Sequence, residues 1–536
     1  MNLIEDRWLR YAHHSGNTKS KIAPYEITKN IRSSNPITDV ITDRPDFKGA
    51  LYQFLIGLLQ TIMSPKTDKE WFSLWKTPPT SDELNGRFAA MAHAFEFDSD
   101  GPAFMQDFDL TEGESKTISA LLIESPGGKT LRDNLDHFIK RGRIEAVCHT
   151  CAALALFTLQ TNAPSGGVGH RVGLRGGGPL TTLIDLDETT SGTNAGTQTL
   201  WHKLWLNVLP EDALLPKEDN QRHYSVDLTK IFPWLGPTPT SEKKTGKDTF
   251  LSDVHPYQMF WGMPRRIRID FKDLTKGRCD VCGAEDTPLI RHFITKNYGI
   301  NYSGIWEHPL TPYSRKKQTD EPLPLHGQKG GVTYRNWLGL TLGDRDNCQF
   351  PARTIAHFFD KRIRRLKMDR NPRIWAFGYD MDNMKARCWY DSRMPLYNMN
   401  PSIRETIKDI VAKIIDAAVE MNANLRKEIR NARYKRPQDV KGDWSFVDNA
   451  FWQSTEGTFY DCLQESIDTL NKGKNTNDVM RKIHRLLKRT AMALFDEYSM
   501  GGPFGDMDMR RVVSARRKLS IWLETGKKTK ELLGKA

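Results

Sequence analysis

The sequence lacks any apolar run long enough to cross a membrane, which takes about twenty residues in a helix. Its first residues, MNLIEDRWLRYAHH, carry acids and lack the apolar core of a secretion signal. We therefore expect a cytoplasmic protein with no membrane partner. Disulfide bonds are rare in that compartment, where paired cysteines are more often metal ligands.

The sequence also lacks the common signatures of catalysis. It contains no G-x-S-x-G, H-E-x-x-H or Walker motif. The turn SPGGKT ends like a phosphate-binding loop, but Ile123 stands where that loop requires its first glycine. His292, with Asn297 beyond it, faintly resembles an HNH nuclease, yet Arg291 and Phe293 beside it are neither histidine nor acid. The sequence favours a binding protein over an enzyme, and a zinc-containing nuclease is the alternative.

Positive charge is present in excess. The 536 residues include 78 lysines and arginines against 66 aspartates and glutamates, which gives a formal net charge of +12 at pH 7. A chain of this length is expected to form two or more domains. The charge favours a polyanionic partner, most simply nucleic acid, although an ordinary basic protein has the same composition. A stand-alone RNA-binding protein is therefore a further alternative.

Four of the seven cysteines form two C-x-x-C pairs, Cys148 with Cys151 and Cys279 with Cys282. Four thiolates are the ligand set of a tetrahedral structural zinc site. The pairs are far apart in the sequence, so a shared site would join two distant parts of one domain. A closed shell of four sulfurs leaves no position for a reactive water, which makes the expected zinc structural. Pairs that are unoccupied or separately buried are the alternative.

A glycine-rich segment follows the first cysteine pair. Ala152 to Leu159 are apolar and predict a short helix, and the chain from Gly166 to Gly178 is then mostly glycine with His170, Arg171 and Arg175 between. Glycine has no Cβ atom, so its backbone can approach a ligand closely. Together with the arginines, this segment predicts a site where the backbone approaches an anionic partner.

The order of predicted elements indicates an α+β fold. Ile267 and Ile269 alternate with arginines as in a β-strand, and strand signals continue to residues 337–340. From residue 395 the pattern becomes helical, beginning with Asn400 as a cap before Pro401. We expect a large mixed domain over 1–394, held together by the zinc site, and a C-terminal four-helix bundle over 395–536.

Basic residues are concentrated at several places. Residues 361–370 read KRIRRLKMDR, and the last two predicted helices carry many arginines and lysines, including Arg516, Arg517 and Lys518. Such faces either are solvated or form a track for a nucleic-acid backbone. Further upstream, basic residues flank Phe138, a combination that suits single-stranded nucleic acid. An amphipathic helix with Phe138 in the core is the alternative.

Several motifs, in this order, resemble one protein family. They are the Cys148/Cys151 pair, Ala163-Pro164, the glycines at 166–169, Arg171 and the run GLRGGGPLTT ending at Thr182. Other landmarks follow along the chain: Met1-Asn2-Leu3 with Trp8, Phe104-Met105-Gln106, Leu206-Asn207-Val208-Leu209, Phe260-Trp261 and Gly304-Ile305-Trp306-Glu307-His308-Pro309. With the C-terminal bundle, the chain resembles the large subunit of the type I-E CRISPR Cascade complex, the CasA family.

The resemblance implies a non-catalytic function in RNA-guided DNA recognition. A subunit of this family recognises a short protospacer-adjacent motif in double-stranded DNA from the minor groove and starts strand separation, while the guide RNA reads the remaining sequence. The implied partners are the guide RNA at its 5′ handle, the target DNA, the other Cascade subunits and an effector helicase-nuclease that docks on the complex.

The resemblance also implies which residues make these contacts. The family's groove-reading lysine falls on Asn297, beside Lys296, and its wedging glutamine falls on Asn383; both asparagines depart from the family pattern. Phe138 is the implied stacking residue for the guide RNA, with His137 as the alternative. The implied DNA-contacting residues are Gly166, Gly167, Val168, Gly169, Arg171, Lys296, Asn297 and Asn383.

Overall fold

The structure is a computed structural model that describes residues 1–126, 132–133, 142–186, 199–215, 227–285, 287–327, 330–344, 346–366, 372–382, 385–501 and 508–535. Its first unit contains Met1–Lys329 and Ala352–Asp391, and its second unit contains Gly330–Pro351 and Ser392–Ala536. The expected domain boundary after residue 394 stays a prediction. No helix in the described part of the chain is both long and apolar enough to cross a membrane.

The strands are short. They are β1 (Leu9–His13), β2 (Gly16–Ile22), β3 (Ile37–Ile41), β4 (Glu114–Thr117), β5 (Val147–Cys148), β6 (Thr181–Asp185), β7 (Asp248–Thr249), β8 (Arg266–Ile269), β9 (Leu274–Gly277), β10 (Thr287–Ile290), β11 (His292–Lys296), β12 (Asn301–Tyr302), β13 (Tyr313–Ser314), β14 (Leu323–Pro324), β15 (Gln349–Phe350), β16 (Arg373–Asp382) and β17 (Lys385–Pro395). The alternation at Ile267 and Ile269 thus forms a strand, as predicted.

The helices are longer towards the C-terminus. They are α1 (Pro45–Ile62), α2 (Asp68–Lys76), α3 (Ser81–Ala89), α4 (His149–Asn162), α5 (Leu200–Trp205), α6 (Glu211–Leu214), α7 (Trp337–Thr341), α8 (Arg353–His357), α9 (Pro401–Arg433), α10 (Ser445–Asn471), α11 (Asn477–Met500), α12 (Met509–Thr525) and α13 (Lys527–Leu532).

Small antiparallel sheets in the first unit position the candidate site. Strand β10 lies between β5 and β9, and β11 lies between β4 and β8. Only Arg291 separates β10 from β11, so the chain passes directly from one sheet into the next. In another sheet β16 pairs with β6 on one side and β17 on the other.

The core of the first unit surrounds α1, which packs against α4. Helix α1 is buried on nearly all sides, as expected for a helix in the middle of a large domain. Phe54 lies at the centre of an aromatic cluster, and edge-to-face pairs of this kind add to the stability from burial. The rings that meet Phe54 edge-on, with centroids within 6.0 Å, are those of Trp8, Phe95, Phe104, Phe157 and Trp261.

The strand signal predicted at residues 337–340 is wrong, because this segment forms helix α7. Trp337 is fully buried, and its indole nitrogen donates to the Pro395 carbonyl at 2.8 Å. At Gly339 an added Cβ would lie 2.1 Å from the Gln349 amide oxygen, so a side chain here would require Gln349 to move. A short apolar run has the same composition in a buried strand and a buried helix, and here burial in the second unit decided between them.

The second unit contains the predicted bundle. Asn400 caps α9 by accepting a hydrogen bond from the Ser402 amide at 3.2 Å, and α9 packs against α10, α11 and α12. The fourth predicted helix is divided at Gly526 into α12 and α13. The Glu420 carboxylate accepts from the first amides of α13, those of Lys528 and Thr529, at 3.0 and 3.2 Å. The predicted α+β class with a C-terminal four-helix bundle is confirmed.

Candidate nucleic-acid interface and metal centre

Helix α4 connects the two features that the sequence singles out. Cys148 precedes its first residue, Cys151 lies in its first turn, and Gly166 follows its last residue by four positions. A helix of 14 residues is about 21 Å long. The cysteines and the glycine loop, defined here as Gly166–Gly169, therefore lie at opposite ends of one helix.

The four paired cysteines converge at the first end. Their sulfur atoms all lie within 4.8 Å of one another, and those of Cys148 and Cys282 are 3.7 Å apart. A tetrahedral site with Zn–S bonds of about 2.3 Å has edges of about 3.8 Å, which matches this separation. Within the described residues this is the one group of three or more potential metal ligands close enough to share an ion. We call it the cysteine cluster.

Backbone hydrogen bonds hold the two cysteine pairs together. Cys148 lies on β5 opposite Leu289 of β10, and its amide donates to the Cys279 sulfur at 3.3 Å. Gly283 has a φ of +70° and donates to the Cys279 carbonyl at 2.9 Å, which closes the turn around the second pair. This conformation is the one that glycine adopts without strain.

The chemistry of the cluster fits a soft cation. Hydrogen bonds from the thiols of Cys148 and then Cys151 lower the pKa of Cys279 and of Cys282, which favours thiolates at these two positions. No disulfide joins any of the four cysteines. Four thiolates would hold zinc without an open position, and such a site connects α4 to β10.

The glycine loop at the other end of α4 projects into solvent. Gly166 and Gly167 are exposed, and the Val168 side chain is 71% exposed. A Cβ atom added at Gly166 would meet nothing within 4 Å. Gly167 and Gly169 have φ values of +98° and +77°, which side-chain-bearing residues rarely adopt. The loop therefore presents its backbone groups with little side-chain cover.

Residues that follow β11 fix the conformation of this loop. The Asn297 side-chain amide donates to the Val168 carbonyl at 2.8 Å, and the Tyr298 amide donates to the Gly169 carbonyl at 2.8 Å. A Cβ atom at Gly169 would lie 3.0 Å from both Asn297 and the Tyr298 ring. The structure thus brings Gly166–Gly169 together with Asn297, and Lys296 lies in the same cleft as Gly169.

The arginines of the glycine-rich segment hold structure together. Arg171 donates to the Ser241 hydroxyl at 2.7 Å and to the Ser241 carbonyl at 3.0 Å. Arg175 is buried and donates to neutral oxygens of Gln53, Thr181 and Thr311. Burial lowers the pKa of Arg175 to about 10, which leaves it charged at neutral pH. In this conformation Arg171 tethers the segment to Ser241.

The later glycines of the segment are packed closely against other parts of the first unit. An added Cβ would lie 2.8 Å from the Thr161 carbonyl oxygen at Gly173 and 3.0 Å from Pro164 at Gly177. At Gly178 it would lie 2.6 Å from the side chain of Met381, near the end of β16. The glycine-rich segment thus contains an open part, the glycine loop, and a closed part from Gly173 onwards.

Comparison with known proteins identifies the family to which this fold belongs. A family model for the CRISPR-associated protein Cse1 matches residues 2–494. The chain belongs to the Cse1 family. Among solved structures, Thermobifida fusca Cse1 has 17% sequence identity and a TM-score of 0.69 over all of this chain and 98% of that one. Thermus thermophilus CasA (Cse1) has 15% identity and a TM-score of 0.67 over all of this chain and 99% of that one.

A third similar structure is a chain of a CRISPR RNA-guided surveillance complex. It has 14% identity and a TM-score of 0.63 over 98% of this chain and 99% of that chain. At this level of identity the likeness shows a shared fold. Because the matches extend over nearly the full length of both chains, the Cse1 fold here includes both the mixed unit and the helical unit.

Two residues implied by resemblance to this family, Asn383 and Phe138, lie outside the described residues. Sequence reasoning missed Ser241, which accepts hydrogen bonds from Arg171, and Tyr298, whose amide bonds the glycine loop. No local pattern marks either residue. The signal that could have found Tyr298 is its position next to Asn297, and its φ of +65° becomes visible only in the structure.

His292 has an acidic partner that its sequence neighbours do not reveal. Its Nδ1 atom lies 2.8 Å from the carboxylate of Asp273, which directly precedes β9, and the Arg291 guanidinium lies 3.7 Å from the same carboxylate. In the part of the chain described, no further potential metal ligand joins them in a group of three. In this Cse1-family chain the pair is half-exposed, and His292 is the first residue of β11, the central strand of the β4–β11–β8 sheet.

Proposed function

We propose that this chain is the non-catalytic large subunit of a type I-E Cascade surveillance complex and recognises a short motif in double-stranded DNA. Its membership of the Cse1 family supports this role, as does the similarity to a chain of an RNA-guided surveillance complex. The observation that carries the proposal is the glycine loop, which is exposed, free of side-chain cover at Gly166 and fixed by Asn297.

The proposed recognition takes place in the minor groove. That groove offers mainly acceptor atoms in a degenerate pattern, so recognition depends on shape and a few polar contacts. A loop of glycines brings backbone amides and carbonyls to the base edges without steric conflict. Lys296 supplies positive charge beside the loop, and Val168 at its tip supplies an apolar contact. In this proposal Arg171 contributes indirectly, because its hydrogen bonds to Ser241 help to position the glycine loop.

Other parts of the chain complete the proposed role. Asn383 would wedge between base pairs and start strand separation, which costs a few kcal/mol for each unstacked step. Phe138 would stack on the guide RNA at its 5′ handle. Other Cascade subunits and the effector helicase-nuclease would dock on the assembled complex in the cytoplasm. The cysteine cluster would hold one structural zinc ion, and that ion would take no part in chemistry.

Replacement of Gly166 by aspartate tests the proposal directly. Gly166→Asp adds a carboxylate where space is open and φ is not positive, so the fold should tolerate it. We expect about tenfold weaker binding of the assembled complex to a duplex that carries its preferred motif, or about 1.4 kcal/mol. The motif is first selected by the wild-type complex from a randomised duplex library, and affinity is then measured by electrophoretic mobility shift.

A matched control is Gly86→Asp in α3, where an added side chain also meets open space. This variant should bind the duplex like the wild type. Gly166→Ala separates added bulk from added charge and should have a smaller effect than Gly166→Asp. Equal affinity of Gly166→Asp and wild type, with the complex intact, would remove the glycine loop from DNA recognition.

A metal-dependent nuclease is the second candidate function, because His292 is paired with the carboxylate of Asp273. A histidine oriented by a carboxylate is a common general base. Incubation of the full-length chain with labelled duplex and Mg²⁺ or Mn²⁺ tests it, and the binding proposal expects no cleavage. Metal-dependent cleavage that His292→Ala abolishes would establish the nuclease and contradict the non-catalytic role.

A further inference from the structure

A basic cleft lies beneath the glycine loop in the first unit. Its volume is about 180 Å³, and its walls come from the end of α4, the β4–β11–β8 sheet and the loop itself. Gly169 and Asn297 are among the residues that line it. Among the described residues that line it there are four basic side chains and no aspartate or glutamate: Lys116, His170, Arg265 and Lys296.

Arg265 contributes a cation with no carboxylate partner. Its guanidinium donates to the Pro164 carbonyl and to the Nδ1 atom of His170, at 2.5 Å for the latter. Neither acceptor carries a negative charge. Burial alone lowers the pKa of Arg265 to about 10, so it remains charged at neutral pH. An uncompensated buried charge is costly unless an anion accompanies it.

The contact with Arg265 also defines which nitrogen of His170 can donate. A guanidinium can only donate, so Nδ1 of His170 must accept and the proton of the neutral ring lies on Nε2. Burial, followed by the charges of Arg265 and Lys116, lowers the pKa of His170, which favours this neutral form. His170 therefore offers one N–H donor, on Nε2, within the basic cleft.

The two lysines supply further positive charge at the cleft. Lys296 ends β11 and is exposed. Lys116 of β4 has one acidic neighbour, Glu114, at 3.2 Å, and the Glu114 side chain is 72% exposed. Exposed ion pairs of this kind contribute about 0–1 kcal/mol, so Lys116 can exchange this partner for a stronger anion.

We propose that the basic cleft binds one phosphate group of a nucleic-acid backbone. Three cations and one ring N–H among the lining residues suit an anion with several acceptor oxygens. Because Gly169 of the glycine loop lines the cleft, a duplex whose groove meets that loop would bring a flanking phosphate to the cleft. The inference rests on the proposed function for the identity of the ligand, but the anion site follows from the cleft itself.

A double lysine variant tests the site without disturbing the buried Arg265. Lys116→Gln/Lys296→Gln removes two charges from the cleft. Lys272→Gln/Lys276→Gln removes two exposed charges from the same unit outside the cleft and is the matched control. In a thermal-shift assay on the full-length chain, inorganic phosphate replaces chloride at constant ionic strength. We expect the phosphate-dependent rise in Tm to be smaller for the cleft variant than for wild type and control.

The second measurement uses labelled duplex and the assembled complex over a range of KCl concentrations. The cleft variant should bind duplexes with and without the preferred motif more weakly by the same factor, and the slope of log K against log [salt] should fall by about 1 relative to the control. A phosphate effect without a duplex effect would assign the site to a small phosphorylated ligand and overturn the nucleic-acid proposal.

Identical behaviour of the cleft and control variants in both measurements would show that the cleft is no anion site. Failure of the proposed function has a different signature. In that case the wild-type complex would not distinguish duplexes by motif, while the cleft variant would still lose the phosphate-dependent rise in Tm. The two proposals can therefore fail separately.

Discussion

Both ends of helix α4 contact the chain segment that contains β10 and β11, but the two contacts differ in burial and in chemistry. At its start, the segment that precedes β10 supplies Cys279 and Cys282 to meet Cys148 and Cys151. At its end, the residues after β11 supply hydrogen bonds to the glycine loop. The first end is mostly buried and contains four cysteine sulfurs, whereas the second is exposed and Val168 supplies the one side chain among its four residues.

This difference shows how a loop of glycines can hold one conformation. Glycine loses more backbone entropy on ordering than any other residue, so an isolated loop of this kind would not stay fixed. Here α4 and the segment that contains β10 and β11 both begin beside the cysteine cluster. Beyond their far ends they contact each other again, where Asn297 and Tyr298 bond Val168 and Gly169. The pairing of β5 with β10 holds the start of both segments beside the cluster. At the other end, Asn297 and Tyr298 bond the loop from outside, and the His170 amide donates to the Gly167 carbonyl at 3.3 Å within the chain turn.

The largest expected effect comes from the removal of one sulfur from the cysteine cluster. Cys151→Ser removes one of four sulfurs, and we expect loss of about one zinc ion per chain together with a large fall in Tm. Zinc sites of this type contribute about 10–16 kcal/mol of apparent binding free energy in small peptides at pH 7, more than any single contact at the loop end. Metal analysis by mass spectrometry and thermal unfolding measure both consequences.

Cys388→Ser is the matched control, because Cys388 is exposed and outside the cluster. It should retain both metal content and Tm. Freshly purified wild-type protein without zinc would contradict the metal site. Retention of zinc by Cys151→Ser would instead show that three thiols are sufficient.

A second pair of variants compares the open and closed parts of the glycine-rich segment. Gly173→Ala places a Cβ atom 2.8 Å from the Thr161 carbonyl oxygen, whereas Gly166→Ala enters open space. We expect Gly173→Ala to lower the free energy of unfolding by about 1–3 kcal/mol, as other overpacked positions do. Gly166→Ala should stay within about 0.5 kcal/mol of the wild type. Equal free energies of unfolding for the two variants, measured with denaturant, would refute the division of the segment into an open and a closed part.

The same comparison shows what the sequence can and cannot predict. Cysteine spacing predicted the convergent cluster because ligand chemistry is local to each C-x-x-C pair. Helical periodicity predicted α9 to α12 because their buried faces are regular. The role of a basic residue is different. Arg175 is structural because Gln53 and Thr311, distant in sequence, supply its acceptors.

Arg362 makes the same point for the KRIRRLKMDR patch, which the sequence offered as a surface for phosphate contact. This residue is fully buried, and its guanidinium lies 3.8 Å from the centre of the Trp71 ring. The tryptophan is far away in sequence, so no local pattern could have assigned Arg362 to the core. Charge composition predicts a polyanionic partner for the chain as a whole, but only tertiary contacts decide which cations are free to meet it.

At the loop end, Asn297→Ala removes the hydrogen bond to the Val168 carbonyl while leaving the Tyr298 bond in place. The loss of one hydrogen bond of this kind is worth about 0.5–1.5 kcal/mol, so we expect duplex affinity to fall by less than about tenfold with Tm nearly unchanged. Asn301→Ala, whose side chain bonds Asp248 instead, is the control. A change in Tm as large as that of Gly173→Ala would mean that Asn297 stabilises the unit as well as the loop.

The smallest expected effect tests whether the bundle adds only charge, in contrast to the shape-dependent contact that we propose for the glycine loop. Arg516 is paired with Asp496 through two bonds of 2.7 and 3.0 Å, whereas Arg517 and Lys518 on the same helix are exposed. If these exposed cations meet the DNA backbone, Arg517→Gln/Lys518→Gln should reduce the salt slope by about 1–2 and weaken binding equally for all duplexes. Arg516→Gln should change the slope less, because Asp496 already offsets that charge. An unchanged slope in the double variant would exclude these two cations from the DNA contact and leave the charge-dependent term to the first unit.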